Sequence, residues 1–139
     1  MEIKQISAAT DKSGFYAVMG EFFASGKIRR TLGYPLENKP VYIWLVVMDD
    51  TVKGFVNLDP EGLNLPDKKV TLDDLYGDLD VLPVLLAEGL ALAQRKGALA
   101  VTAKAYNQEI ANFYVEQGFD LVNTRGRYQE MRKEIPHEG

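Results

Sequence analysis

Hydrophobic positions along the chain recur with two different periods, and the switches between them divide the sequence into helices and strands. Three stretches show the helical period of about 3.6, which predicts amphipathic helices that present one apolar face to a core. Each is followed by a glycine, a residue that commonly ends a helix. The predicted helices cover residues 15–23, 82–93 and 108–117, with a short fourth helix at 28–32.

The remaining apolar stretches are short and rich in branched and aromatic side chains, which is typical of strands. Residues 41–48 are apolar at every position, so we expect a strand that is buried on both faces. The predicted strands cover residues 3–6, 41–48, 51–58, 70–76, 98–105, 120–123 and 127–133. Strands joined by tight turns pair antiparallel, whereas the crossover through the long helix makes strands 70–76 and 98–105 parallel.

Residues 1–139 are therefore expected to form a single α/β (α+β) domain. Its central sheet would be mixed and mostly antiparallel, with helices on both faces. A chain of 139 residues is long enough to form one hydrophobic core without a metal or disulfide to stabilise it.

Composition narrows the range of functions mainly by exclusion. The chain has no cysteine, so it can form neither a disulfide nor a thiolate site, and its one histidine is His137. A net charge of −4 argues against sequence-independent binding of nucleic acid, which depends on neutralising phosphates with basic side chains. The first residues lack the apolar run of a signal peptide, and no apolar run is long enough to span a bilayer. We therefore expect a cytoplasmic protein, and the sequence leaves a homodimer open.

One stretch carries a family resemblance in residue detail. Residues 106–119 read Tyr-Asn-Gln-Glu-Ile-Ala-Asn-Phe-Tyr-Val-Glu-Gln-Gly-Phe. An Asn that opens a helix, a Phe-Tyr pair inside it and a closing Gly-Phe together resemble the late motif of the GNAT (N-acetyltransferase) superfamily. Residues 72–76 resemble the strand before that family's cofactor-binding helix, and residues 127–131 resemble its terminal hairpin. The order of elements is similar over residues 41–133.

The resemblance implies a GNAT-like fold whose two parallel strands splay apart at their carboxyl ends. It also implies transfer of an acetyl group from acetyl-coenzyme A to a primary amine on a small molecule or peptide. The pantetheine arm would hydrogen-bond to strand backbone in the gap. Tyr114 stands where family members protonate the departing thiolate. The implied cofactor-binding residues are Asp74, Leu75, Tyr76, Gly77 and Asn107.

Each of these assignments has a structural alternative. Asn107 is also a good N-cap for the helix that follows it. Tyr114 lies on an apolar helix face, so a core tyrosine is the competing interpretation. The base that removes the amine proton has three candidates, Asp59, Glu61 and Asp73, all of which could equally be surface acids.

Residues 77–84 depart from the family pattern. They read Gly-Asp-Leu-Asp-Val-Leu-Pro-Val, which lacks the glycine-rich loop that wraps the pyrophosphate of coenzyme A. Asp78 and Asp80 stand where the pyrophosphate would lie, and Pro83 lacks an N–H. Asp80 is interpreted as the N-cap of the long helix.

This departure keeps a second function open, a catalytically degenerate GNAT-fold protein that serves as a binding or structural module. Short divergent proteins of this fold include phage-encoded ones. A metal site built on the nearby acids is not expected, because adjacent strand residues such as Asp73 and Asp74 should point to opposite faces.

Overall fold

The computed structural model describes residues 2–136, so His137 lies outside the described residues. Seven strands form one sheet in the order β1-β2-β3-β4-β5-β7-β6. The strands are β1 (Glu2–Ile6), β2 (Ile43–Asp49), β3 (Thr51–Asp59), β4 (Lys69–Gly77), β5 (Ala100–Ala105), β6 (Asp120–Arg125) and β7 (Tyr128–Glu134). The helices are α1 (Lys12–Phe23), α2 (Gly26–Leu32), α3 (Leu82–Arg95) and α4 (Gln108–Glu116). The predicted element order is confirmed, as is the mixed, mostly antiparallel sheet.

Helices α1 and α3 cover opposite faces of the sheet. On β2, neighbouring residues Trp44 and Leu45 are both buried and point to opposite sides. Trp44 packs against Phe15 of α1, with ring centroids 6.1 Å apart. Leu45 faces Gly89 of α3, whose missing side chain lets the helix approach β2 and β4 closely. This double cover explains why β2 is apolar at successive positions.

The parallel pair β4–β5 is joined over only four residues of each strand. The ladder runs from Lys69 opposite Ala100 to Leu72 opposite Ala103. Beyond that point β4 continues along β3, whereas β5 continues along β7. The two strands therefore separate at their carboxyl ends, as the resemblance implied.

A bulge in β4 marks the point of separation. The register between β3 and β4 shifts between Phe55 and Asn57, so that one extra residue of β4 is accommodated. Asp74 lies in this bulge with a φ of 61°, a left-handed conformation that is uncommon for any residue except glycine. The bulge turns β4 away from β5.

The start of α3 differs from the prediction. Its N-cap is Val81, which makes no side-chain capping hydrogen bond, and Asp80 is exposed in the preceding turn. The prediction that Asp80 caps this helix was wrong, because burial of Val81 and Leu82 fixes the helix start one residue later. At 14 residues α3 is the longest helix of residues 2–136, and none of their helices is long and apolar enough to cross a bilayer.

Gly54 of β3 lies beneath the first turn of α3 and should not tolerate a side chain. A Cβ at this position would lie 2.6 Å from the Tyr76 carbonyl oxygen and 2.8 Å from Val81 Cγ1. We expect Gly54→Ala to lower the free energy of unfolding by about 1–3 kcal/mol through overpacking. Gly20→Ala is the matched control, since nothing lies within 4 Å and alanine favours a helix by roughly 1 kcal/mol. Chemical denaturation of both variants checks this, and an unchanged Gly54→Ala would contradict the packing described.

Candidate functional site

The gap between β4 and β5 is bridged by one tyrosine. Tyr106 follows β5 directly and is 3% exposed. Its hydroxyl donates to the Leu75 carbonyl oxygen of β4 at 2.6 Å. The strands are thus not paired to their tips, but one backbone acceptor of the gap is satisfied from inside the protein.

A pocket of about 270 Å³ opens beside this gap, and we call it the acidic pocket. Residues of the α2–β2 loop form its outer wall, and residues of β3, β4 and β5 form its floor. It is lined by Tyr34, Pro35, Glu37, Tyr42, Asn57, Asp73, Asp74 and Lys104. Three of its eight residues are carboxylic acids and one is a lysine, so with all four ionised its net charge is negative.

The bulge brings two adjacent carboxylates to this one pocket. Asp74 is 6% exposed and accepts a hydrogen bond from the Tyr34 hydroxyl at 2.6 Å. Burial raises the pKa of Asp74, while that hydrogen bond, the charge of Lys104 and the Asn57 amide lower it in part. The expectation that Asp73 and Asp74 point to opposite faces was wrong, because the left-handed backbone at Asp74 breaks the alternation.

Asp73 is a half-buried carboxylate with an enclosed oxygen. Its Oδ1 has no hydrogen-bond partner within residues 2–136. Burial and the neighbouring charge of Asp74 raise its pKa from 3.8 to about 6, and the charge and backbone N–H of Lys104 oppose the shift. The interpretation of Asp73 as a surface acid was therefore wrong. A carboxyl with a pKa near 6 can accept a proton at neutral pH.

Asn57 is the strand partner of Asp73, and one oxygen in each of the two side chains accepts no hydrogen bond from the described residues. The two residues are opposite each other on β3 and β4, and Asn57 is 3% exposed. Its Oδ1, like that of Asp73, makes no hydrogen bond with any described residue. Two buried oxygen acceptors side by side are costly unless something donates to them. The pocket floor is therefore suited to a ligand that carries N–H groups.

Tyr114 lies on α4 and is completely enclosed. The side chain is 0% exposed and packs against Phe119, with centroids 4.9 Å apart. Its hydroxyl finds no partner among the described residues, which is unusual for a buried tyrosine. Burial raises its pKa well above 10, so it remains a proton donor at neutral pH. Its catalytic role stays a prediction.

The other residues predicted to bind the cofactor lie along the gap. Asn107 is the N-cap of α4, and its side chain accepts from the Ile110 N–H at 2.9 Å, so the capping alternative is confirmed. Tyr76 stacks on Phe55 with centroids 5.3 Å apart. Gly77 ends β4 against Gly54. Contact of any of them with a ligand stays a prediction.

Lys104 places a cation between two aromatic rings above the pocket. Its Nζ lies 3.9 Å from the centroid of Tyr34 and 5.3 Å from that of Tyr128. The Tyr128 hydroxyl also donates to the Gly33 carbonyl at 3.3 Å. The α2–β2 loop is thereby tied to the β6–β7 hairpin, and together they cover the gap from one side.

The other two candidate bases do not line the pocket. The Asp59 carboxylate accepts from the Glu61 N–H at 3.0 Å, and Glu61 pairs with Lys39 at 3.9 Å. Sequence reasoning missed Tyr34, Asn57 and Lys104. Asn57 did carry a signal, since it is a polar residue within the otherwise apolar stretch 55–58.

Metal chemistry receives no support from the side chains of residues 2–136. They contain no group of three or more His, Asp or Glu side chains placed to share an ion. Asp73 and Asp74 alone would offer too few ligands for Mg²⁺ or Ca²⁺.

Comparison with known proteins identifies the fold. The sequence matches no protein-family model and no curated protein. The structure is similar to an acyl-CoA N-acyltransferase from Pseudomonas aeruginosa, with a TM-score of 0.72, 16% identity and coverage of 95% of this chain and 98% of that one. It is also similar to the PaiA N-acetyltransferase from Thermoplasma acidophilum in complex with coenzyme A, with a TM-score of 0.61, 19% identity and coverage of 97% and 100%. A third is aminoglycoside 6′-acetyltransferase type Ii, with a TM-score of 0.66, 14% identity and coverage of 99% and 100%. The chain has the fold of the GNAT N-acetyltransferases, as predicted.

The raised pKa of Asp73 predicts that this residue destabilises the folded protein at neutral pH. Its pKa of about 6 against an ordinary 3.8 corresponds to about 3 kcal/mol, at about 1.4 kcal/mol per pKa unit. The penalty is absent below pH 3.8, grows as pH rises, and is complete above about pH 6. Asp73→Asn should therefore be more stable than wild type at pH 7.5, and the advantage should disappear at pH 4.

Thermal unfolding of both proteins at several pH values measures this difference. Asp49→Asn is the matched control, because it neutralises an exposed carboxylate at the end of β2 whose charge is not among those that raise the pKa of Asp73. A less stable Asp73→Asn at pH 7.5 would show that Asp73 is a structural acid.

Proposed function

We propose that the protein is an N-acyltransferase that passes an acyl group, acetyl in the simplest case, from a thioester such as acetyl-coenzyme A to a primary amine. The observation that carries the proposal is that Asp73, at the floor of the acidic pocket, lies close enough to the buried Tyr114 for its charge to raise the pKa of that tyrosine. Asp73 offers a base with a raised pKa, and Tyr114 offers a protonated hydroxyl that has no acceptor. Acyl transfer to an amine needs a proton acceptor for the nucleophile and a donor for the leaving group.

The amine would enter the acidic pocket as an ammonium ion. Carboxylates of Asp73 and Asp74 attract it, and the Asn57 and Asp73 oxygens accept its N–H groups. Transfer of one proton to Asp73 yields the neutral amine. Its nitrogen then attacks the thioester carbonyl, so that an N–C bond forms and the C–S bond breaks. The second proton lost by the nitrogen replaces the one that Tyr114 gives to the thiolate, and Asp73 releases its proton to solvent.

The thioester would approach through the gap between β4 and β5. Backbone groups of Asp74, Leu75, Tyr76 and Gly77 are the proposed contacts of the pantetheine arm, with Asn107 at the opposite wall. A buried thiolate is costly, and the Tyr114 O–H would donate to the sulfur as the C–S bond breaks. One structural neighbour is a complex with coenzyme A, which supports such a donor.

A second candidate is a binding module without catalytic activity. The specific observation in its favour is the hydrogen bond from Tyr106 to Leu75, which uses a carbonyl that the pantetheine arm would need. In this case the gap would be closed by its own side chain.

The acyltransferase proposal predicts separate losses for two variants. Asp73→Asn should lower kcat/KM at pH 7.5 by at least about 100-fold, because it removes the base. Tyr114→Phe should lower kcat by about 10- to 100-fold while the Kd for desulfo-coenzyme A changes less than about twofold. The assay follows thiol release from acetyl-coenzyme A with a polyamine, an aminoglycoside and a short peptide as acceptors.

The pH profile adds an independent readout. Wild-type kcat/KM should rise with pH up to about 6, the pKa of Asp73, and then level off. Asp49→Asn should keep both the rate and this profile, since the charge of Asp49 is not among those that raise the pKa of Asp73. Full activity in Asp73→Asn would remove this residue from the mechanism.

Tyr106→Phe separates the two candidate functions. Loss of the hydroxyl leaves the Leu75 carbonyl without a donor, which costs about 1–2 kcal/mol of stability. A pantetheine amide can then satisfy that carbonyl, so desulfo-coenzyme A should bind about fivefold more tightly. Isothermal titration calorimetry measures the change.

Tyr34→Phe is the control, because it removes a hydrogen bond of the same 2.6 Å length from the acidic pocket, where the amine would bind, and not from the gap. It should leave desulfo-coenzyme A binding unchanged. No binding by wild type or by Tyr106→Phe would favour the binding module.

A further inference from the structure

We propose that this protein recognises its acyl donor by the pantetheine arm alone, and that the nucleotide end of coenzyme A adds little to binding or turnover. This inference rests on the proposed acyltransferase function and names its donor class. The donor would be a pantetheine thioester, whether carried on coenzyme A or on the phosphopantetheine of a carrier protein.

The first observation is that the amides of the first two residues at the start of α3 are already used. The N–H groups of Val81 and Leu82 both donate to the Asp78 carbonyl, at 2.9 and 3.2 Å. Pro83, the next residue, has no N–H. A helix binds a phosphate through the free N–H groups of its first turn. Here three successive residues have none to offer.

The second observation is the charge at the same place. Asp78 and Asp80 are exposed in the turn that leads into α3. Two carboxylates close to a helix N-terminus cancel the positive potential that favours an anion there. A diphosphate at this position would meet like charge instead of donors.

The third observation concerns the space that a phosphate loop would need. Val81 and Leu82 are 3% and 1% exposed, so the helix start is packed into the core. A Cβ at Gly77 would lie 3.2 Å from Val81 Cγ1 and 3.1 Å from the Lys53 carbonyl oxygen. The connection from β4 to α3 is therefore tight and leaves little room for a loop around a diphosphate.

The gap between β4 and β5 suits a polar ligand better than the start of α3 does. Strands β4 and β5 separate beyond Leu72 and Ala103, and an amide-rich arm can hydrogen-bond there to the Leu75 carbonyl in place of the Tyr106 hydroxyl. Recognition is therefore expected to be strong at the thioester end and weak at the nucleotide end of the same donor. This contrast assigns the donor class.

The test compares donors on the chain of residues 1–139. We expect kcat/KM for S-acetylpantetheine to be within fivefold of that for acetyl-coenzyme A. A functioning phosphate site, with several charge-assisted hydrogen bonds, would instead prefer acetyl-coenzyme A by well over tenfold. A preference above fivefold would overturn the proposal. Calorimetry with pantetheine and coenzyme A gives a readout apart from activity, with the same fivefold limit.

A carrier protein loaded with an acetyl thioester distinguishes the two sources of the arm. Faster transfer from the carrier than from S-acetylpantetheine assigns the donor to a carrier, and equal or slower transfer assigns it to a free thioester. Both donors carry the pantetheine arm and lack the nucleotide, so both results leave the nucleotide end of coenzyme A without a part in recognition. If neither donor is used or bound, the acyltransferase function itself fails, which is a different outcome from a preference for coenzyme A.

A double variant tests whether the charges of Asp78 and Asp80 disfavour the nucleotide end of the donor. Asp78→Asn combined with Asp80→Asn should raise kcat/KM for acetyl-coenzyme A by about two- to fivefold and leave S-acetylpantetheine unchanged. Glu21→Gln combined with Asp67→Asn removes the same charge from α1 and from the loop before β4, and should change neither donor. An equal effect on both donors, or none, would show that these carboxylates do not face the nucleotide and would overturn the proposal.

Discussion

The early end of the β4–β5 ladder is the constraint on which the rest of this site depends. Pairing stops at Leu72 and Ala103 because the bulge at Asp74 turns β4 away while β5 stays with β7. Backbone groups beyond that point lose their strand partners, and buried backbone groups must find others. Tyr106 supplies one by donating to Leu75. The gap is therefore polar by necessity, in the middle of an otherwise apolar sheet.

The polar side chains around the gap cost stability that an apolar filling would avoid. Within residues 2–136, Asp73 and Asn57 each bury an oxygen that accepts no hydrogen bond, and Tyr114 buries a hydroxyl without a partner. Such groups are rare inside folded proteins. Clusters of them with shifted pKa values concentrate at functional sites, where stability is traded for reactivity. The surrounding core of aromatic and branched side chains offsets this loss of stability, because helices cover both faces of the central strands.

Hydrophobic period and motif in the sequence were enough to predict the element order, the parallel crossover and the helix that lies between Asn107 and Gly118. Each of these depends on local spacing, which a single chain displays. The bulge could not be predicted, because Asp74 adopts a left-handed backbone that sequences normally mark with glycine. Its consequences were missed with it: one pocket for two adjacent carboxylates, and the hydrogen bond from Tyr34, 40 residues away. Asp80 has the right residue type for a cap, but core packing of Val81 set the helix start instead.

Likeness of fold leaves the chemistry open, since at 19% identity or less it establishes architecture alone. The two ends of a coenzyme A donor are held by physically independent devices. In the proposed mechanism the thioester end would depend on strand separation and on the Tyr114 hydroxyl, whereas a nucleotide end would depend on free amides at a helix start. A chain can therefore keep one device and lose the other without changing its sheet. In this protein the gap retains polar groups that have no hydrogen-bond partner within residues 2–136, whereas the start of α3 is packed into the core and flanked by two exposed carboxylates. The gap is therefore the place to look for its chemistry.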